Sequence, residues 1–319
     1  MNEPAFFLEV EMTQITGAMV KDLRERTGAG MMDVKNALTE ANGDMEEATK
    51  ILRKKGLAAA GKKAGRVTAE GAVVAHVEGN VGVLVEVNCE TDFVGRNENF
   101  QNFAREVAKV VAQSKVDSVD ALLNETWPGD AEGLTVGQKV AETIGSIKEN
   151  ITIRRFVRYE VAPNAAVGTY IHAGGKIGVI TEVVAETGDK SEKANELAKE
   201  ISMHVAAAEP RFLRREDVTQ KDLDTEREIA REQALKSGKP ENIVEKMVTG
   251  KMEKFYGEAC LLEQPYIRDD KSTVSQYVAK QAKEHGCAYV VTRFTRYKLG
   301  EGIEKRGDDF AAEVASYMK

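Results

Sequence analysis

The 319-residue chain is predicted to be an α+β protein, and three features of its sequence carry that expectation. Capped apolar repeats at helical spacing fill its first part, a strand-plus-helix unit occurs twice in its middle, and two long charged helical patterns flank a tight turn further on. Together they describe an N-terminal three-helix bundle, a duplicated hairpin-plus-helix core with antiparallel sheets, a protruding antiparallel helical hairpin and a C-terminal helix.

The bundle is expected over residues 13–56. Thr16 is placed to cap a first helix with Met19, Val20 and Leu23 on its apolar stripe, and Gly28 and Gly30 interrupt it. Val34, Ala37, Leu38 and Ala41 stripe a second helix that Asn42-Gly43 ends. Asp44 caps a third, with Glu47 as its capping-box partner, Met45, Ala48, Ile51 and Leu52 on its apolar face, and Gly56 beyond its end. A bundle this small has no room for an enclosed active site and reads as an interaction module. Residues 1–12 read as a disordered extension whose acidic flanks argue against a signal or transit peptide, with Met12 a candidate start. Residues 57–70 read as a basic linker.

The core is expected in two parts, 71–160 and then 161–209 with 258–300. Val73-Val74, Val81, Val83, Val85 and Val87 around Gly79-Asn80 give a hairpin signal. Phe100, Phe103, Ala104, Val107, Val110 and Val111 then stripe a helix. The stretch from Val81 to Ala112 recurs from Ile177 to Ala207. Glu90-Thr91 matches Glu186-Thr187, Ala104-Arg105-Glu106-Val107 matches Ala198-Lys199-Glu200-Ile201, and the strand from Gly71 is matched to the strand from Gly168. The copies part at the strand-to-helix turn. The first is two residues longer and holds Asp92-Phe93-Val94, whereas the second holds Gly188-Asp189-Lys190. A mere connector has no use for Phe and Val. Two readings stay open for Phe93: a surface contact for a partner, or a staple folded back on the next helix.

The helical hairpin is expected over 210–257. Leu223, Ile229, Ala230 and Ala234 face Ile243, Met247 and Met252 across a Ser237-Gly238-Lys239-Pro240 turn. Cys260–Leu262 and Ala288–Thr295 read as strand material with a helix over Ser275–His285 between them. Residues 301–319 are expected to form a C-terminal module with a helix over Asp308–Met318.

Composition narrows the functional classes. The chain is 42% hydrophobic and 30% charged with a net charge of −7, a poor counter-ion for nucleic-acid backbones. No apolar run is long enough to cross a bilayer, so neither nucleic acid nor membrane is expected as a direct partner. Cys89, Cys260 and Cys287 lie far apart, as reduced thiols of a cytoplasmic protein would, and no cysteine or histidine cluster indicates a metal site or cofactor. His204 sits on an apolar helical stripe and reads as a core or interface residue. His172, at a strand end before a glycine turn, reads as able to face a partner. No triad, Cys/His pair or catalytic carboxylate pair supports an enzyme. Gly56 to Lys63 matches the outline of a phosphate-binding loop, but Lys63 replaces the hydroxyl residue and a helix, not a strand, precedes it. Two rival readings are therefore a nucleotide-binding enzyme built on that segment and a scaffold that binds through its first bundle alone.

Six blocks together resemble the elongation factor Ts family: LRERTGAGMMDVKNALTEANGDMEEA, EVNCETDFV, ENITIRR, ISMHVAA, SGKPENIVEKMV and GEGIEK. The resemblance runs from Met12 to the end. It implies a ubiquitin-associated-like bundle and a guanine nucleotide exchange factor for elongation factor Tu, binding the GTPase in its GDP-bound and nucleotide-free states. Thr91, Asp92, Phe93 and Val94 would then be the tip that dislodges the GTPase's magnesium. Arg24, Met31, Met32 and Lys35 would meet its GTP-binding domain. Ile147 and His172 would face its other domains, and Phe310 and Val314 on the tail helix complete the implied contacts. The family often has glycine after the residue matched to Ile147, where this chain has Lys148. No catalytic residue, cofactor or metal ligand is implied.

Overall fold

The computed structural model describes residues 14–130, 133–186, 192–236 and 238–304. The expectations for the N-terminal extension, for the turn Gly188-Asp189-Lys190 and for the tail helix with Phe310 and Val314 lie outside the described residues.

Three helices open the described chain: α1 (Gly17–Thr27), α2 (Met31–Glu40) and α3 (Met45–Lys63). The Thr16 hydroxyl accepts from the Met19 N–H, Gly28 closes α1 at φ 64°, and Asp44 accepts from the N–H groups of Glu46 and Glu47. These contacts satisfy donors and acceptors that a helix end leaves unpaired. Leu23, Val34, Ala37, Leu38, Ala48 and Ile51 form the shared core.

The third helix corrects the expected boundary. It does not stop at Gly56 but runs to Lys63 and so takes in much of the predicted linker. Gly56 is buried at a helix crossing. A Cβ there would lie 3.1 Å from the Ala141 carbonyl oxygen, and one at Gly145 would lie 3.0 Å from the Gly56 Cα. The missing side chain is a packing requirement, which outweighs glycine's poor helix propensity. The phosphate-loop outline therefore lies entirely in helix and offers no cradle of free N–H groups.

The hairpin β1 (Glu70–Glu78) and β2 (Val81–Cys89) follows, then α4 (Asp92–Gly95), α5 (Glu98–Gln113), α6 (Val119–Asn124), α7 (Val136–Ile147) and β3 (Ile151–Glu160). The second half brings β4 (Ala165–His172), β5 (Ile177–Ala185) and α8 (Glu192–Ala208). The helical arm is α9 (Gln220–Leu235) with α10 (Glu241–Ala259). Beyond it come a two-stranded ribbon, β6 (Pro265–Tyr266) with β7 (Asp269–Thr273), then α11 (Val274–His285) and β8 (Tyr289–Lys298).

Two antiparallel three-stranded sheets, ordered β1-β2-β3 and β4-β5-β8, pack on each other through Val73, Leu84, Tyr159, Val167 and Ile180. On its outer face the first sheet packs α5, whose Phe100, Phe103, Val107 and Val111 are buried with Val83, Val85 and Val87. The second sheet packs α8 and α11 through Leu197, Ile201, Val205 and Val278. The core is thus helix, sheet, sheet, helix. Each fully buried aliphatic or aromatic side chain contributes about 1.5–3 kcal/mol, which makes these faces the main source of stability.

The duplication reaches further than the sequence comparison found. Both central strands shift register at the same place, between Glu86 and Val87 and between Glu182 and Val183. Both glutamates are buried and paired with arginines: Glu86 with Arg154 and Arg155, Glu182 with Arg293. The third strands also match, as RFVRYE against RFTRYK. Arg155 lies 4.2 Å over the Tyr297 ring and Arg293 lies 3.9 Å over Tyr159, a reciprocal pair across the pseudo-twofold. One expected match is corrected. Gly71 pairs with Asn88 near the end of its hairpin, whereas Gly168 pairs with Thr181 in mid-strand. The strand position equivalent to Gly168 is Val74, which faces Val85.

In the arm, Ala230, Ala234, Val244, Val248 and Met252 form the buried seam, with Leu223 and Met247 beside it. Ile229 is 45% exposed and does not belong to the seam. Cys260–Leu262 is not strand: α10 ends at Ala259, Cys260 makes one bridge to Phe212, and Leu261–Glu263 is a 3-10 turn. Burial of Cys260 and Leu261 explains their apolar character without a strand.

Candidate functional site

Thr91 to Val94 form a single helical turn at the end of β2. Its cap is Thr91, whose hydroxyl accepts from the Val94 N–H at 3.3 Å. One turn of helix costs more conformational freedom than its few hydrogen bonds return, so tertiary contacts must hold it. Three such contacts are present. Glu149 takes the N–H groups of Glu90 and Thr91 at 3.1 and 3.0 Å and the Thr91 hydroxyl at 2.6 Å. Gly95 lies flat on Gly71, where a Cβ would sit 2.9 Å from the Gly71 carbonyl oxygen. Val94 packs on the core beneath.

Phe93 makes no such contact. It is 84% exposed, which excludes one of the two readings left open by the sequence: it does not fold back as a staple on α5. Asp92 pairs with Arg96 at 2.8 Å on the solvent side. Beneath the turn, burial and the nearby Glu149 carboxylate push the Cys89 thiol up to about 12. Cys89 therefore stays protonated and donates to the Thr91 carbonyl at 3.1 Å. The site holds no arrangement of nucleophile and base. Its chemistry is that of a surface: an aromatic ring held out on a short, firmly mounted turn.

Arg24, Met31, Met32 and Lys35 come together in one open groove on the bundle. Asn99, in the first turn of α5, lines the same groove, so it reaches the helix that follows the tip. Met31 and Met32 are 59% and 64% exposed. The bundle is fastened to the core beside the tip. The Ser146 hydroxyl donates to the Gly28 carbonyl, Lys148 pairs with Asp33 at 2.7 Å and Arg53 with Glu142 at 3.2 Å. Lys148 ends α7 at φ 71°, a conformation natural to glycine.

Ile147 is half-buried against the first core. His172 is exposed at the end of β4, with its ring nitrogen 3.2 Å from the Tyr170 hydroxyl. Its turn is seated on the strand that supports the tip, since the Val73 N–H donates to the Gly175 carbonyl while Gly71 underlies Gly95. The tip and the His172 turn therefore share the start of β1 as their footing. Glu149 was absent from the candidates read in the sequence, although it opens the ENITIRR block, and Lys148 entered only as a departure from the family's glycine. Their importance lies in contacts about sixty and more than a hundred residues away in sequence, which no local pattern discloses.

A family model described as Elongation factor TS matches residues 90–301. Over 306 residues, 96% of this chain and 100% of the relative, the chain is 52% identical to elongation factor Ts of Syntrophotalea carbinolica. It is 51% identical over 306 residues to that of Trichlorobacter lovleyi, covering 95% of this chain and 98% of the relative. It is 50% identical over 303 residues to that of Clostridium perfringens strain 13, covering 94% and 98%. All three alignments take in nearly the whole of both chains.

Proposed function

The chain belongs to the elongation factor Ts family, and on that premise we propose that it drives GDP from elongation factor Tu by inserting the Thr91–Val94 turn beside the GTPase's bound magnesium. It is a nucleotide exchange factor of translation elongation, not a catalyst of bond-making chemistry. In this reading it works in the cytoplasm on the GDP-bound GTPase, carries it through the nucleotide-free state and leaves it to reload with GTP. The ubiquitin-associated-like bundle of α1, α2 and α3 makes contact with the GTP-binding domain through Arg24, Met31, Met32 and Lys35. Ile147, His172 and the tail residues Phe310 and Val314 meet the other surfaces.

The observation that carries the proposal is the exposure of Phe93 on an anchored turn. An 84% exposed phenylalanine gains by entering an apolar pocket, and the anchored backbone means little order is lost when it does. Magnesium and GDP stabilise each other on the GTPase. A factor that favours the metal-free form weakens GDP by the same coupling free energy.

Replacing Phe93 by alanine tests this. Release of fluorescent GDP from elongation factor Tu is expected to slow by at least about tenfold, as loss of a hot-spot aromatic worth roughly 2 kcal/mol implies. The unfolding free energy should stay within about 0.5 kcal/mol of the parent, as for other exposed sites. An unchanged release rate would remove the wedge role.

A further inference from the structure

We propose that Glu149 is the positioning residue of the exchange tip, holding the Thr91–Val94 turn in the one orientation from which Phe93 can act; this rests on the tip being the exchange element. The Glu149 carboxylate accepts from two backbone N–H groups and one hydroxyl, all from Glu90 and Thr91. The Thr91 hydroxyl has a single proton and gives it to Glu149 at 2.6 Å, which turns a lone pair toward the Val94 N–H at 3.3 Å. One carboxylate therefore sets both the entry angle of the chain and the rotamer of the cap.

The clamp is reciprocal. The Glu90 carboxylate accepts the Asn150 N–H at 2.6 Å, and the Asn150 amide donates to the Arg66 carbonyl at 3.0 Å. Two neighbouring carboxylates thus cross between the same two segments. The stretch 146–150 also carries Ser146 and Lys148, which reach Gly28 and Asp33 on the bundle. Five consecutive residues therefore set the tip and the Met31–Met32 groove relative to each other. A glutamate that only capped a strand end would need one of these partners. Charge-assisted hydrogen bonds to three donors of one turn are what positioning requires.

The test compares Glu149→Ala, Glu149→Asp and Glu149→Gln in the full chain, with Phe93→Ala alongside. Three quantities are read: the GDP-release rate at saturating exchange factor, the concentration giving half that rate, and hydrogen exchange of the Thr91 and Val94 amides in the free protein. Glu149→Ala and Glu149→Asp, which is one methylene too short, are expected to lower the saturating rate about tenfold. The half-saturating concentration should move by less than about threefold and the two amides should exchange faster. Glu149→Gln keeps an acceptor for the N–H pair and should recover to within about threefold of the parent. Should Glu149→Ala fail to fold, the Asp and Gln pair carries the comparison. A slow Phe93→Ala together with a parental rate in Glu149→Asp overturns the positioning role, and so does a Glu149→Gln as slow as Glu149→Asp. A parental rate in Phe93→Ala overturns the reading of the tip itself.

Discussion

At the tip, two residues with different duties sit close together: Phe93 in solvent and Thr91 held by three hydrogen bonds to Glu149 and Val94. The nearby Lys148 shows a similar division. Its αL backbone costs roughly 1–2 kcal/mol for a residue with a Cβ, while its exposed ion pair with Asp33 returns 1 kcal/mol at most. Lys148→Gly is therefore expected to raise the unfolding free energy by about 0.5–1 kcal/mol, and Lys148→Ala, which keeps the strain and loses the pair, to lower it. The opposite order in a urea melt would mean that the tie between bundle and core outweighs the strain. Phe93 was legible in the sequence because an aromatic stood where the sister copy has only polar residues. Glu149 was not legible, since an acidic residue beside Lys148 is unremarkable until three donors of Glu90 and Thr91 are folded against it.

Among the elements, α3 best shows how local rules and packing diverge. Gly56 looks like a helix stop, but it sits in mid-helix because α7 approaches too closely for a side chain. Gly61, in the same helix, has nothing within 4 Å of a Cβ. Gly61→Ala should therefore stabilise by about 0.5–1 kcal/mol through helix propensity, and Gly56→Ala should destabilise by about 1–3 kcal/mol through overpacking. Chemical denaturation separates them. Two effects of the same sign would show that the crossing does not govern Gly56. A phosphate-binding loop would instead lose nucleotide affinity at both positions. The ends of the first two helices and the β1–β2 hairpin were readable from caps and turns, whose chemistry is local. The α3 end, the placing of Ile229 in the arm's buried seam and the strand character of Cys260–Leu262 were misread, because each depends on what a distant element leaves uncovered.

At the scale of the whole molecule, a buried polar cluster seats the arm on the second core, and it contains a histidine whose protonation opposes folding. His204 on α8 is fully buried. Its Nε2 lies 2.9 Å from Gln264 Oε1, while its Nδ1 accepts the Ile267 N–H at 3.3 Å. The Gln264 amide donates to the Ala208 and Glu258 carbonyls, which seats the base of the arm on the second core. Burial holds the His204 imidazole below its ordinary 6.5, against the opposing pull of the Gln264 hydrogen bond. The folded protein thus resists a proton that the unfolded chain accepts. This contribution to stability is complete above about pH 6.5 and is lost as pH falls from there through the lower folded value. The thermal midpoint should drop across that window, and His204→Gln should flatten the slope there. An unaltered slope in the variant would assign the pH dependence to other groups. Glu86 behaves similarly at lower pH. Burial pushes its carboxyl up, but the Gly300 N–H and the Arg154 and Arg155 guanidiniums outweigh this and hold it below the ordinary carboxylate value. Its contribution is complete above 4.5 and lost as pH falls through the lower folded value.

By itself the sequence determined the inventory: the helical stripes, the duplicated strand-and-helix unit, the specialised turn and the family resemblance. Each of these is a pattern of neighbouring residues or of one segment against another, and needs no third dimension. The tertiary structure alone decided that Phe93 faces outward, that a carboxylate about sixty residues away anchors its turn, and that the bundle groove opens beside α5. It also decided that the two halves stack sheet on sheet through reciprocal Arg–Tyr contacts. The physical reason is the same in every case. Burial, crossing distance and hydrogen-bond satisfaction are properties of what surrounds a residue, and the surroundings of this tip come from segments far apart in the chain.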